Sequence, residues 1–263
     1  METRQVRDLD KRLRTRFQGL SNIVRFNWPY YAAASAAALL LFLLSYYLQG
    51  GWRFAAGISL ILLAVSTFLS LFVSWYVYDR SDLYDLNWLD QLKTAAGETM
   101  ISLNAGFDET TPLLKDRFRD AEIIPCDFFD AGRHTEPSIR RARAAYPPYP
   151  GTQMVSASAL PFEDSSVATV LAILSAHEIR DGDDRVKFFA EARRLLTPGG
   201  SVVVVEHLRN AANLLAFNVG AFHFYSRKSW LETFDSAGLA VESERTITPF
   251  ITAFVLTRNG NSN

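Results

Sequence analysis

The hydrophobic pattern divides the chain at about residue 78. From Trp28 to Leu48 no position carries a formal charge, and a second uncharged run extends from Phe54 to Tyr78. At about 1.5 Å per helical residue, either run is long enough to cross a hydrocarbon core of about 30 Å. Only Gln49-Gly50-Gly51-Trp52-Arg53 lies between them, so the second helix must return antiparallel. Aromatic residues gather where headgroups would lie: Trp28, Tyr30 and Tyr31; Tyr46, Tyr47 and Trp52; Trp75, Tyr76 and Tyr78. The pattern predicts a transmembrane hairpin over residues 28–78, with spans at about 28–48 and 54–78. A re-entrant, monotopic hairpin is the competing reading, because the first run is rich in alanine.

Beyond Tyr78 the polarity changes. DRSDLYDLNWLDQL predicts a juxtamembrane helix within 79–94, with Leu83, Leu86 and Leu89 on one face. Strands and helices then alternate through 95–258, ahead of a short polar tail at 259–263. Strands are expected at Thr99–Asn104, Ala121–Cys126, Gln153–Ser156, Val167–Leu174, Ser201–Glu206, Ala240–Ile247 and Phe250–Thr257. Helices are expected at Thr110–Arg119, Thr135–Tyr146, Asp183–Leu196 and Ser226–Ala237. Thr135 reads as a helix cap, with Pro137 in the first turn. The run SVVVVE suits a strand buried on both faces. The expected fold is α/β: a Rossmann-like, doubly wound, mostly parallel seven-stranded sheet that ends in a strand hairpin.

Charge adds orientation. Residues 1–27 carry Arg4, Arg7, Lys11, Arg12, Arg14, Arg16 and Arg25, whereas the turn between the spans has only Arg53. The positive-inside rule places both termini and the soluble domain in the cytoplasm, on a two-span protein of the inner (cytoplasmic) membrane. Val6, Leu9, Leu13, Phe17 and Leu20 recur at helical spacing, so this basic segment would either lie on the anionic leaflet or pack on its own domain. A net charge of −1 supplies no basic field for nucleic acid. One cysteine, Cys126, excludes an internal disulfide framework and a cysteine zinc cluster.

LPFEDSSVATVLAILSAHEIRDGDDRVKFFAEARRLLTPGGSVVVVEH (160–207) resembles the central segment of class I S-adenosylmethionine-dependent methyltransferases, in their type-11 or quinone C-methyltransferase-like branch. SRKSWLETFDSAGL (226–239) extends the likeness, which covers about residues 95–257. The resemblance implies S-adenosylmethionine as cofactor, with S-adenosylhomocysteine as product. It places the cofactor against Asn104, Gly106 and Asp108 after the first strand and Asp127 at the end of the second. Ser156, Ala157 and Ser158 would line the adenine side, and Leu174 would follow the fourth strand. The chain departs from the family in three places. The first loop has one glycine, Ser156-Ala157-Ser158 stand where an acid is usual, and Ala168 replaces a second acid.

Polar residues gather at the ends of the fourth and fifth strands, where open α/β sheets form their ligand crevice. His177 and Glu178 follow the fourth strand, Glu206 and His207 end the fifth, and His223 lies further on. A His–Glu pair there can act as a general base, the imidazole taking a proton and the carboxylate orienting it. The spacings match no standard metal-ligand motif. The uncharged stretch 211–222 reads as a substrate lid, as a bilayer contact, or as an ordinary packing helix.

The sequence thus predicts a membrane-tethered methyltransferase acting on a lipophilic small molecule such as a quinone, isoprenoid or lipid precursor. Its partners would be the lipid bilayer, that acceptor and, in one reading, a membrane protein complex. The alternative is a catalytically inactive methyltransferase-like subunit or scaffold; a third is a binding protein for another nucleotide-like ligand.

Overall fold

The computed structural model describes residues 14–90, 92, 95–134 and 136–260. The positions Val6, Leu9 and Leu13 of the basic segment, and the expected cap Thr135, lie outside the described residues.

Helix α1 (Gln18–Phe26) is followed by α2 (Trp28–Tyr47) and α3 (Gly50–Trp75). Only Leu48 and Gln49 separate α2 from α3, because the pair of glycines continues into helix instead of forming the turn. Helix α2 buries no residue, and the apolar window of the second segment is 11% buried. These two helices are long and apolar enough to span a membrane.

The second apolar helix does not stop at Trp75. It widens into a π turn, Tyr76–Arg80, and its last apolar residues enter the domain core. Val73 and Val77 are buried beside Leu83, Leu86, Trp88 and Leu89. Among the described residues of the juxtamembrane helix expected over 79–94, those from 81 to 90 form turns and a 3-10 helix at Asn87–Leu89 instead of a continuous helix. Leu86 has φ +56°, a left-handed conformation that breaks the helical path and lets these side chains converge on the sheet.

The sheet comprises β1 (Thr99–Asn104), β2 (Glu122–Asp127), β3 (Gln153–Met154), β4 (Val167–Ile173), β5 (Leu196–His207), β6 (Leu239–Thr248) and β7 (Ile251–Arg258). Its seven strands run in the order β3-β2-β1-β4-β5-β7-β6. Pairing is parallel from β3 to β5 and antiparallel at β5–β7 and β7–β6. The connecting helices are α4 (Thr111–Arg117), α5 (Pro137–Ala145), α6 (Gly182–Leu195), α7 (Ala211–Phe217) and α8 (Arg227–Ser236). On one face, Phe188, Phe189, Trp230 and Phe234 pack against Val202, Val204 and Phe254. On the other, Val203, Val205, Ala253 and Val255 meet the end of the second apolar helix. The VVVV run is therefore covered on both sides, as its lack of polar alternation requires.

Candidate active site

The order reverses between β1 and β4, and the loops at the carboxyl ends of the parallel strands open two clefts there. The first, about 210 Å³, is walled by α1, Tyr78, Asn104, Leu174, His177 and His207. The second, about 710 Å³, lies over Phe129, His134 and the Ser156–Ser158 segment. Glu178 lines both.

Asn104 ends β1, and its Oδ1 accepts the Gly106 N–H at 3.1 Å, closing a tight turn. Gly106 has φ +95°, and a Cβ would stand 3.0–3.1 Å from the Arg143 guanidinium and the Phe129 side chain, so glycine is required. The buried Asn104 Nδ2 has no partner. The loop keeps the one glycine its backbone needs and presents an unmet donor. Asp108 Oδ1 accepts the N–H groups of Thr110 and Thr111 at 3.0 and 2.9 Å, capping the start of α4, and its buried Oδ2 has no partner.

Asp127 ends β2 as expected, 1% exposed, with Oδ1 accepting the Phe129 N–H at 2.8 Å. Its other oxygen meets Arg143 from α5, a partner the sequence reading missed. Arg143 also lies over the Phe129 ring, so it closes the space between Asp127 and Gly106. Beyond β3, the hydroxyls of Ser156 and Ser158 stand 3.2 Å apart on the wall of the second cleft, with Ala157 between them.

After β4, Leu174 takes φ +53° and leads to a 3-10 turn at Ala176–Glu178. This fold-back carries His177 onto Glu206 from β5. The His177 backbone N–H donates to Glu206 Oε1 at 3.1 Å, and His177 Nδ1 lies 2.7 Å from Oε2. Glu178 Oε1 stands 3.4 Å from His177 Nε2. Burial alone would lower the His177 pKa, but Glu206 and Glu178 outweigh it and raise it to about 10. Burial likewise opposes ionisation of Glu178, whereas His177 and Arg180 favour it more, so its pKa is lowered. The raised pKa favours the protonated ring at His177, whereas a general base there would need the neutral imidazole. Glu178 is ionised, and its Oε2 is buried with no partner.

His207 belongs to a separate chain of contacts. Asn213 Nδ2 donates to the carbonyls of Leu208 and Phe250 at 2.8 and 2.9 Å, so its Oδ1 is an acceptor. His207 Nδ1, 3.2 Å away, must be the donor. Nε2 then accepts the Tyr78 hydroxyl at 2.8 Å. Burial lowers the His207 pKa to about 4, leaving the ring neutral. Tyr78, expected as a headgroup aromatic, is pulled into the site by this bond.

His223 lies with its ring 5.2 Å from that of His177. Its carbonyl accepts from Arg180 at 2.7 Å, and the same guanidinium lies against both ring nitrogens. Among the described residues, His177, Glu178 and His223 bring ligand atoms within 4.8 Å of one another.

Helix α1 roofs the first cleft. A Cβ on Gly19 would stand 2.3 Å from the Tyr78 Cβ, so the helix can approach the end of the anchor only at glycine. Asp79 accepts the Gly19 and Leu20 N–H groups at 2.7 and 2.8 Å, completing the exposed helix start. Asn22 donates to Glu109 and accepts from Tyr146, while Phe26 packs edge-on against Phe107. The described part of the basic segment is therefore held against the domain. None of Tyr78, Asn213, Asn22 or Glu109 announces this role in sequence.

Residues 104–204 match the family described as a methyltransferase domain. No curated protein matches the chain in sequence. Among solved structures, a Haloferax volcanii methyltransferase in complex with the Trm112 activator is 16% identical, with a TM-score of 0.51 over 70% of this chain and 92% of its own. The PH0226 protein from Pyrococcus horikoshii is 17% identical, with a TM-score of 0.50 over 67% and 88%. Geranyl diphosphate C-methyltransferase from Streptomyces coelicolor, solved with Mg2+, geranyl diphosphate and S-adenosyl-L-homocysteine, is 15% identical, with a TM-score of 0.48 over 66% and 78%. The domain from β1 to β7 thus shares its fold with the first two of these solved structures, and residues 104–204 are similar to a methyltransferase domain.

Proposed function

We propose that the protein is a membrane-tethered methyltransferase that modifies a lipophilic small molecule, such as a quinone, isoprenoid or lipid precursor. In this reading the two apolar helices span the inner (cytoplasmic) membrane, with the soluble domain in the cytoplasm. One observation carries the proposal: the first cleft is walled on one side by the end of the second apolar helix and on the other by the strand ends. A site built partly from the anchor favours an acceptor dissolved in the bilayer, whose effective concentration there is high.

The residues present fit S-adenosylmethionine. Asp127 is a carboxylate at the end of β2, suited to ribose hydroxyls once Arg143 shares it. The Asn104 Nδ2 donor and the cradle at Gly106 suit the methionine end, and Ser156 to Ser158 line the space for adenine. When bound, the cofactor supplies an electrophilic methyl group and leaves as S-adenosylhomocysteine. Glu178, ionised and with a free Oε2, is placed to accept the proton that an acceptor O–H, N–H or activated C–H loses. The His177 imidazolium, itself held by Glu206, keeps that carboxylate in place. The Tyr78 hydroxyl donates to His207 and retains lone pairs that can receive a hydrogen bond from the acceptor.

The test uses the full chain in nanodiscs with tritium-labelled S-adenosylmethionine and an extract of bacterial membrane lipids. The proposal expects label in organic-soluble material, lost in Glu178→Gln, with S-adenosylhomocysteine still bound. Binding without any organic-soluble label would sink the lipophilic acceptor, and no binding below about millimolar would favour the inactive scaffold.

A further inference from the structure

The segment from α7 to His223 leaves Leu215, Val219 and Phe222 at 70%, 82% and 65% exposed, with Leu214 beside them. No residue from Ala211 to Phe222 carries a formal charge. A soluble domain does not commonly present such a cluster to water. The opposite side of the segment is firmly held: Ala216 and Ala221 are buried, and Asn213 is fixed by the carbonyls of Leu208 and Phe250. The apolar side chains therefore project from a rigid base.

Their height is set by one contact. Asn218 Nδ2 donates to Ser66 Oγ of α3 at 2.8 Å, and Asn218 adopts φ +50° to make it. Counting back from the Leu48-Gln49 turn at equal steps, Ser66 is level with Tyr31 of the antiparallel α2. At about 1.5 Å per residue, that is about 5 Å on the bilayer side of Trp28. Trp28, Tyr30 and Tyr31 form the aromatic group expected at a membrane–water interface. Helices that lie in an interface bury their apolar face by about 5–10 Å, the depth at which this segment stands.

We propose that residues 211–223 form a monotopic membrane insertion, with Leu215, Val219 and Phe222 seated among the upper acyl chains of the leaflet from which the soluble domain projects. The occupant of this surface is lipid, because the contact to Ser66 makes it continuous with the lipid-facing surface of the spans. The proposal rests on the membrane reading of α2 and α3. His223 and Phe224 continue directly from the insertion to the site, Phe224 stacking on His207 at 4.6 Å. The segment thus fixes the first cleft at the bilayer surface, where a lipophilic acceptor can pass from acyl chains into it.

Site-specific labelling tests this in the full chain. Burial pushes the Cys126 thiol up to about 12, so the native cysteine stays unlabelled. Leu215→Cys, Val219→Cys and Phe222→Cys are each labelled with an environment-sensitive fluorophore. Phe42→Cys within the first span and Glu163→Cys on the soluble domain serve as references. The proteins are reconstituted into phosphatidylcholine/phosphatidylglycerol vesicles with brominated acyl chains. The expected result is a blue shift and loss of emission at all three test sites, intermediate between Phe42 and Glu163. Test sites that behave like Glu163 while Phe42 is quenched overturn the insertion and leave the anchor standing. An unquenched Phe42 label overturns the membrane reading and the insertion with it.

Discussion

His177 and His207 stand on neighbouring strand ends yet titrate in opposite directions, because one is buried between carboxylates and the other among neutral groups. Folded His177 keeps its proton up to about 10, whereas the unfolded ring loses it near 6.5. Its stabilisation is complete below about pH 6.5 and is lost as the pH rises through about 10. Folded His207 refuses a proton down to about 4, which the unfolded chain accepts below about 6.5, so stability also falls with acidification through that window. The melting temperature of the detergent-solubilised chain should therefore peak near neutral pH. Glu206→Gln should flatten the alkaline limb and destabilise the fold by roughly 3 kcal/mol, since it strips one partner from a buried charge pair. An alkaline limb unchanged in that variant would contradict the pairing. At the cofactor end, Asp127→Ala should weaken S-adenosylhomocysteine binding by roughly tenfold or more in calorimetric titration, the size of a lost charged hydrogen bond. Tyr78→Phe should leave that binding unchanged while reducing methyl transfer, because it removes only the hydroxyl on the acceptor side. All of these acids and histidines were legible in the sequence as polar residues at strand ends. The protonation states were not, since they depend on which side chains meet across the β4–β5 boundary.

At the scale of elements, the hydrophobic pattern left open whether α1 packs on the domain or lies on a leaflet. Its buried positions are Gly19, Asn22 and Phe26, two of them without an apolar side chain, so amphipathicity does not mark this face. What holds the helix is a close backbone approach at Gly19 and hydrogen bonds from Asp79, Glu109 and Tyr146. Gly19→Leu should lift α1 from the anchor, expose the first cleft and raise the hydrogen-exchange rate of residues 18–26. Unchanged protection in that variant would show that α1 is held elsewhere. The strands, by contrast, were placed within a residue or two where long apolar runs mark them. β5 begins earlier than expected, because Pro198-Gly199-Gly200 passes through an irregular register beside β4 instead of a turn outside the sheet.

For the whole molecule, the second apolar helix, which the proposed function makes the anchor, is also a core element of the domain. Val73 and Val77 are buried in the domain, and Tyr78 reaches His207. A fragment beginning at Asp79 loses all three. Two buried valines at about 1.5–3 kcal/mol each are a large share of a domain's net stability. Such a fragment should melt well below the full chain by thermal shift, whereas one that keeps residues from Ser66 onward should recover much of the difference. Equal melting temperatures would show that the anchor is only a tether.

The sequence alone determined the apolar hairpin, the α/β alternation and the strand-end crevice, because these follow from local periodicity and from runs of like residues. It also placed Asp127 and Gly106, whose roles depend on position along a single strand or turn. Only the tertiary structure decided which groups meet: Glu206 with His177, Tyr78 with His207, Arg143 with Asp127, and Asn218 with Ser66. These contacts join residues far apart in the chain, and no local pattern encodes them. They arise because the second apolar helix runs on into the sheet's core, and that packing brings its end to the wall of the first cleft.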